Sequence, residues 1–424
     1  MRAGHPPARG KEDRTLPFGP GGHGADRCQK PKGGGARGVR GGGGLVFDRY
    51  PANGQIHRGC SMKKILFGFL PLFALGLVTA WPQEEEEEKE TPPAPAAVVT
   101  NAPVEKKKKA PKAPLEIPAD IPHELDVAYL EGDRNEKADL YLPMNVPAGQ
   151  KAPALILIHG GGFNDGDKRK FREINFGTNA AKRGYLAMSI NYKLRKTKGQ
   201  VTWPQCVYDV KESVRWLKQN AEKYNIDPDR IGAMGGSAGG NLAFMLALTG
   251  PEDGFEGEGT RTNISTKIAC AIDLYGAVDL MTYKSDRPRP DTNKPEMAMF
   301  NKTKAEAPEL YRRGSPTSYI RTNAVPLLMI HGTGDTVVLP NQSQLLRSKL
   351  LEAGLACPEY TVANQSEVDA LKEKLPLDRN ALILIPNAPH TFDLEVRMSR
   401  DGPVMMEIAD LVFAWLDRHL KPVA

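Results

Sequence analysis

Residues 230–240 read Arg230-Ile231-Gly232-Ala233-Met234-Gly235-Gly236-Ser237-Ala238-Gly239-Gly240. Ile231 to Met234 has the apolar character of a short buried strand. Ala238 opens a helical run that continues through Asn241-Leu242-Ala243-Phe244-Met245-Leu246-Ala247-Leu248. Between them, Gly235-Gly236-Ser237-Ala238-Gly239 fits G-x-S-x-G. A serine on so tight a strand-to-helix turn sits in strained backbone, and small residues on either side relieve the crowding. Such a turn lifts the hydroxyl above the sheet edge. It also places it at a helix N-terminus, where backbone N–H groups favour a developing negative charge. Glycine-rich turns also bind phosphate or simply reverse the chain, so the flanking sequence has to decide.

Upstream, Leu125 to Leu130 alternates, a turn follows at Gly132-Asp133-Arg134-Asn135, and Ala138 to Pro143 completes an antiparallel hairpin. Ala154-Leu155-Ile156-Leu157-Ile158 is apolar without alternation, as expected of a strand covered on both faces of a parallel sheet. It runs into His159-Gly160-Gly161-Gly162-Phe163. Three glycines after a central strand let N–H groups converge on one point, as an oxyanion hole requires. A flexible turn or a phosphate loop is the other reading, but Asn164-Asp165-Gly166-Asp167-Lys168 lacks the G-K-[ST] of a Walker loop. Tyr185 to Ile190 reads as a strand. Val207, Val210, Val214 and Leu217 recur at helical spacing within 207–217. Downstream, Ile268–Gly276, Val325–Ile330 and Ala381–Ile385 are further strands. Strand and helix in alternation predict an α/β fold with a mainly parallel central sheet flanked by helices.

The motifs together resemble an α/β-hydrolase of the esterase/lipase group that carries an H-G-G-G oxyanion motif. They are most similar to its secreted bacterial carbohydrate-esterase-like and acetyl-esterase-like members. The matching pieces are His159-Gly160-Gly161-Gly162-Phe163, Asn191-Tyr192-Lys193-Leu194, Asp209-Val210-Lys211 with Arg215-Trp216-Leu217, Gly235 to Gly240, and His331-Gly332-Thr333-Gly334-Asp335. The resemblance implies an α/β-hydrolase fold with a small irregular lid over 277–323. That segment holds Pro288, Pro290 and Pro295, a helix near Ala305 to Arg312, and Met297, Met299 and Phe300 as candidates to line an acyl or aromatic pocket; a packed loop is the other reading.

The resemblance also assigns the chemistry. Ser237 is the expected nucleophile. Asp335, which alone could equally cap a helix from Asn341, is the expected acid. His390, on the loop after the last strand, is the expected base. The order Ser237, Asp335, His390 is that of this fold. Oxyanion donors are the N–H groups of Gly161, Gly162 and Ala238. His159 and His331 are expected to be structural, His123 to precede the domain and His419 to lie on a terminal helix. Asp393 is a rival for the acid. The stretch Asn364 to Asn380 exceeds what the family requires, and its helical residues 368–375 suggest a surface excursion.

The amino-terminal part is of another kind. Residues 1–61 hold 16 of the 42 glycines and show no periodicity. Met62-Lys63-Lys64, the apolar run from Ile65 and Val78-Thr79-Ala80 compose a secretory signal. Met62 is therefore the expected start, residues 1–61 an over-long gene start, and the mature protein secreted or periplasmic; a genuine disordered extension with an internal membrane anchor is the other reading. The run is interrupted by Pro71 and is short for a spanning helix, so no stable membrane insertion is expected after cleavage. Residues 81–115, with Glu84–Glu88 and Lys106–Lys109, form a solvated linker, and 116–424 is the catalytic domain. Of 57 Lys and Arg against 51 Asp and Glu, residues 1–80 hold 13 and 4. The remaining 44 against 47 give about −3, so the basic balance of the full chain is no argument for nucleic acid. Cys28 and Cys60 precede the cleavage point. Cys206, Cys270 and Cys357 lie in apolar contexts and read as buried thiols. No H-E-x-x-H or Cys/His pairing suggests a metal, and the expected chemistry needs no cofactor.

These features point to a secreted serine carboxylic-ester hydrolase whose partner is a small ester or an acylated carbohydrate. Acetyl or feruloyl groups on polysaccharide are the substrates the resemblance suggests. A serine peptidase of the oligopeptidase type shares this catalytic domain and is the second reading. A binding protein on an inactive hydrolase fold is the third, and the intact Ser237, Asp335 and His390 argue against it. Oligomeric state is not legible.

Overall fold

The computed structural model describes residues 116–284, 294–375, 378–393 and 408–422. The expected signal at 62–80, the segment 1–61, the expected linker at 81–115, and Pro288 and Pro290 lie outside them.

Nine strands form one sheet in the order β1-β2-β4-β3-β5-β6-β7-β9-β8. They are β1 His123–Val127, β2 Ala138–Tyr141, β3 Ala152–Ile158, β4 Leu186–Ile190, β5 Ile226–Gly236, β6 Cys270–Leu274, β7 Leu327–Gly332, β8 Glu359–Thr361 and β9 Ala381–Ile385. The opening hairpin pairs β1 with β2 antiparallel, and β2 joins β4 antiparallel. From β4 to β8 across the sheet, every pairing is parallel.

Eight helices complete the described fold: α1 Phe171–Lys182, α2 Gln205–Gln219, α3 Ala238–Leu248, α4 Pro295–Phe300, α5 Pro308–Arg313, α6 Asn341–Glu352, α7 Gln365–Lys374 and α8 Ile408–Leu420. The unbroken apolar run of β3 has a direct cause. Ala154, Ile156 and Ile158 pack with residues of α2, α3 and α6 in one core. Leu155 and Leu157 pack with residues of α1, α7 and α8 in the other. Alternate side chains leave opposite faces of a strand, so a sheet covered on both sides needs an apolar residue at each position.

Several elements depart from the sequence reading. The strand before Ser237 starts at Ile226, so the Asn225–Arg230 turn is largely strand. Helix α1 had no clear sequence signal: it contains Gly177, which lies over the Tyr141 ring, and carries the charged residues Arg172 and Glu173 on its buried side. His123 is not outside the domain but begins β1, where its Nδ1 donates to the carbonyl of Ile121 at 2.8 Å. The lid region holds two short helices, α4 and α5, instead of one near 305–312. The 364–380 stretch contains α7, which packs Val368 and Leu371 into the second core. Its amino end is capped by Asn364, whose side chain accepts from the N–H of Glu367 at 3.0 Å. The loop after α3 is tied to α2 by charge. Lys211 and Arg215, both buried, reach Glu256. Cys206, Cys270 and Cys357 are buried free thiols.

Candidate functional site

The strand order reverses at β3. Chain leaving β3 goes to β4 on one side, and chain leaving β4 returns to β5 on the other. Open parallel sheets offer a crevice at such a switch point, outside the carboxyl ends of the strands. His159–Gly162 follows β3 and Ser237 follows β5, so both glycine-rich segments meet there. In register, Ile158 of β3 faces Gly235 of β5.

Ser237 has φ 57° and ψ −119°, a conformation costly for a residue with a side chain. Its N–H donates to the carbonyl of Leu274 at 2.9 Å, and its carbonyl accepts from Asn241 at 3.1 Å. The turn is tight enough that a Cβ on Gly239 would stand 2.0 Å from the carbonyl oxygen of Ile158. Ala238 is the first residue of α3, so its N–H has no acceptor within its own helix. On the facing loop, Gly161 adopts φ 114°, and its carbonyl accepts from Asn164 and Asp165 at 3.2 and 3.1 Å. That leaves its peptide plane turned as few residues other than glycine allow.

Asp335 and His390 lie on loops that follow neighbouring strands. β7 and β9 are paired, and the loops that follow them are joined by Thr333 N–H to Ile385 O, 2.9 Å, and Gly334 N–H to Ala388 O, 3.1 Å. His390 Nδ1 lies 2.6 Å from Asp335 Oδ2, and its Nε2 lies 3.1 Å from Ser237 Oγ. A carboxylate only accepts, so Nδ1 carries the proton and Nε2 is free to accept from the serine hydroxyl. The three residues expected to act together are therefore brought within hydrogen-bond reach. Asp335 does not cap α6. Its Oδ1 accepts from the N–H groups of Val337 and Val338 at 2.8 and 3.0 Å. Burial works to raise the pKa of Asp335, yet hydrogen bonds from His331 and His390 and the Val337 amide hold it well below the ordinary carboxylate range.

His331 is more than a packed residue, which the sequence did not reveal. It is fully buried, with Nε2 2.9 Å from the carbonyl of Val338 and 3.3 Å from Asp335 Oδ2. A carbonyl cannot donate, so Nε2 carries the proton and shares it with the carboxylate. Nδ1 then accepts from Ser343 Oγ at 2.7 Å. The position four residues before Asp335 was the available signal.

Asp393 has a different role from the acid it could have been. It binds Arg172 Nε at 2.6 Å and the hydroxyl of Tyr275. Arg172 also donates to Tyr275 at 2.6 Å, and a Cβ on Gly236 would meet its guanidinium at 2.4 Å. The Tyr275 ring stands edge-on to His390 with centroids 4.7 Å apart. One buried cation thus touches α1, the serine turn and the histidine loop. Beside it, burial raises the Glu173 carboxyl to about 7 against the pull of Arg172.

The cleft above Ser237 has a volume of about 400 Å³. Leu280, Tyr283, Val337 and Val338 give it an apolar part, and Asp165, Lys170, Arg172 and Glu173 a polar one. Met297, Met299 and Phe300 do not line it. Met299 and Phe300 are buried in the core, where the Phe300 ring packs on Trp203 and Tyr311. α4 instead presents Glu296 to the cleft. His159 is stacked on Tyr192 with centroids 4.5 Å apart and donates from Nδ1 to Gly160 O at 2.7 Å. Among the described residues, no group of three or more His, Cys, Asp or Glu is arranged to hold a metal, and no helix is long and apolar enough to cross a membrane.

The BD-FAE family matches residues 138–350, half of the chain. The chain belongs to the BD-FAE family. The matched region of this BD-FAE protein includes Ser237 and Asp335 and ends before His390, whose place rests on the geometry above. Esterase LipQ of Mycobacterium tuberculosis is 29% identical over 280 residues, 63% of this chain and 57% of that protein. Esterase LipC of the same organism is 26% identical over 281 residues, 65% of this chain and 62% of that protein. The chain thus spans less than two thirds of these relatives. Among solved structures, a truncated carbohydrate esterase from gut microbiota aligns with TM-score 0.53 at 23% identity, over 63% of this chain and 89% of that one. Esterase 2 of Thermogutta terrifontis, phosphonylated by sarin, aligns with TM-score 0.55 at 23% identity, over 74% and 100%. The fold is that of the α/β-hydrolases.

Proposed function

We propose that this BD-FAE protein is a serine carboxylic-ester hydrolase that works through an acyl-enzyme. The observation that carries this reading is the continuous chain from Asp335 Oδ2 through His390 to Ser237 Oγ, at 2.6 and 3.1 Å. His390 Nε2 takes the hydroxyl proton as Ser237 Oγ attacks the ester carbonyl. Asp335 holds the tautomer and stabilises the imidazolium that forms. The N–H groups of Ala238, Gly161 and Gly162 receive the oxyanion. Collapse of the tetrahedral intermediate returns the proton from His390 to the departing alcohol. Water, deprotonated by the same nitrogen, then releases the acid.

The substrates proposed are short-chain acyl or feruloyl esters of carbohydrate, reached after export by the signal at residues 62–80. A cleft of about 400 Å³ suits a small acyl group better than a long chain. The names of the similar proteins, esterases and a carbohydrate esterase, support the same class.

The test is hydrolysis of p-nitrophenyl acetate, butyrate and octanoate, with acetylated xylan and methyl ferulate alongside. Wild type should favour the short esters. Ser237→Ala should lower kcat by at least about a thousandfold. A fluorescent phosphonate, chosen because the Thermogutta esterase was captured phosphonylated, should label wild type and not the variant. Turnover that survives in Ser237→Ala would remove this reading.

A further inference from the structure

Three side chains that line the cleft each carry a buried polar atom with no hydrogen-bond partner in the protein: His159 Nε2, Asn241 Oδ1 and Glu296 Oε2. Native interiors pair nearly all such atoms, and each exception asks for a physical reason. Here the exceptions share a chemistry, because all three are acceptors. His159 Nδ1 faces a carbonyl and carries the ring proton, and burial keeps the ring neutral with a pKa of about 4, so Nε2 has a lone pair to offer. Asn241 gives its amide nitrogen to the carbonyls of Ala277 and Gly314 at 2.8 and 3.1 Å, which identifies the remaining atom as oxygen. Glu296 is only 7% exposed, on the short helix α4.

Asn241 lies one helical turn beyond Ser237 on α3, about 6 Å along the axis. A group bonded to an ester held at Ser237 comes within its reach. We propose that Asn241 and Glu296 form a subsite that accepts hydrogen bonds from hydroxyl groups of the substrate, with Glu296 as the residue that selects polyhydroxylated esters over esters without donors. The inference rests on the ester-hydrolase reading and names the residues that would read the alcohol. Lys170 and Arg172 stand against Asp165, Glu173 and Glu296 on the same cleft, a near balance of charge that suits neutral hydroxyl donors. No group of the protein pairs these acceptors, and hydroxyls of the substrate can.

Two acetates separate the subsite from the catalytic machinery: a monoacetylated methyl xyloside and cyclohexyl acetate, which has a ring of similar size and no free hydroxyl. They are to be compared on the full chain in wild type, Glu296→Gln and Glu296→Leu. Loss of a charged hydrogen bond should raise KM for the xyloside ester about tenfold or more in Glu296→Leu, with the Gln variant between. Cyclohexyl acetate should stay within about twofold of wild type. The melting temperature of Glu296→Leu should be unchanged or higher, because Oε2 has no partner in the protein and Lys304, whose charge the carboxylate faces, keeps its bonds to the carbonyls of Met281 and Tyr283. Equal change on both esters, no change on either, or a fall in melting temperature would overturn the subsite. If wild type turns over neither ester through Ser237, the catalytic reading fails by itself. The subsite is then judged by saturation-transfer NMR with methyl xyloside. A signal lost in Glu296→Leu supports it, and an equal signal overturns it.

Discussion

The serine turn and the histidine loop face each other across 3.1 Å, yet they are held by different forces. The serine turn is held by backbone. Gly239 lies against the carbonyls of Ile158 and His159, Ser237 N–H is tied to Leu274, and no side chain of the turn itself is needed to shape it. The histidine loop is tied by backbone only at its start, where Gly334 N–H meets Ala388 O, and beyond that point by side-chain charge. Asp335 grips the imidazole from one side, and Asp393, three residues on, anchors the chain through Arg172 and Tyr275. Backbone packing is short-ranged and does not respond to pH. Ion pairs depend on protonation and on each partner remaining in place. Ser237 should therefore be lost by unfolding, and His390 by misplacement or changed pH.

The comparison breaks most sharply at Gly239. Gly239→Ala places a carbon 2.0 Å from one carbonyl and 2.7 Å from another, and neither is the end of a flexible side chain. The expected cost exceeds about 4 kcal/mol. Expression should yield little soluble protein, and any that folds should melt at least about 10 °C lower by circular dichroism.

The two aspartates come next and should separate catalysis from anchoring. Asp335→Asn should keep its fold and lose about 10⁴-fold in kcat on a p-nitrophenyl ester, because the imidazole tautomer is no longer specified. Asp393→Asn should show the opposite balance. Arg172 and Asp393 are 4% and 3% exposed, and neutralising one side of a buried pair costs about 3 kcal/mol. Urea unfolding should report that loss, with a smaller fall in kcat. Equal kinetic losses in the two variants would dissolve the distinction.

The last expected effect, a slope with pH, concerns Glu173. Its folded pKa, raised to about 7 by burial, lies above the unfolded value near 4.3. As pH rises between those values the unfolded chain loses the proton first, so this group lowers stability progressively up to about pH 7. Glu173→Gln should remove that slope and stabilise the protein more at pH 8 than at pH 5. Urea midpoints at the two pH values measure it, and an equal shift at both would place the effect elsewhere.

The path from sequence to site was uneven for physical reasons. Ser237 was legible because a strained turn demands small neighbours, and glycines in a row are visible in sequence. The apolar run of β3 was legible because a strand covered on both faces has no polar positions. Asp335 and His390 were legible only by their places after strands and by resemblance, since no local pattern marks either. α1 was missed because its buried side carries Arg172 and Glu173, which defeat an apolar period. Met297, Met299 and Phe300 were assigned to the cleft because large apolar residues suit a pocket, but the same property suits the core, where Met299 and Phe300 lie.

The sequence by itself determined the class of fold, the strand-turn-helix that carries Ser237 and the order of the residues that meet there. Those depend on periodicity and steric demand, which are local. Only the tertiary structure decided what surrounds them: that His331 shares Asp335 with His390, that Asp393 anchors a loop, and that Asn241 and Glu296 turn unpaired acceptors to one cleft. Those outcomes depend on which strands become neighbours and which charges are buried together, and contacts between residues far apart in the chain leave no trace in its local pattern.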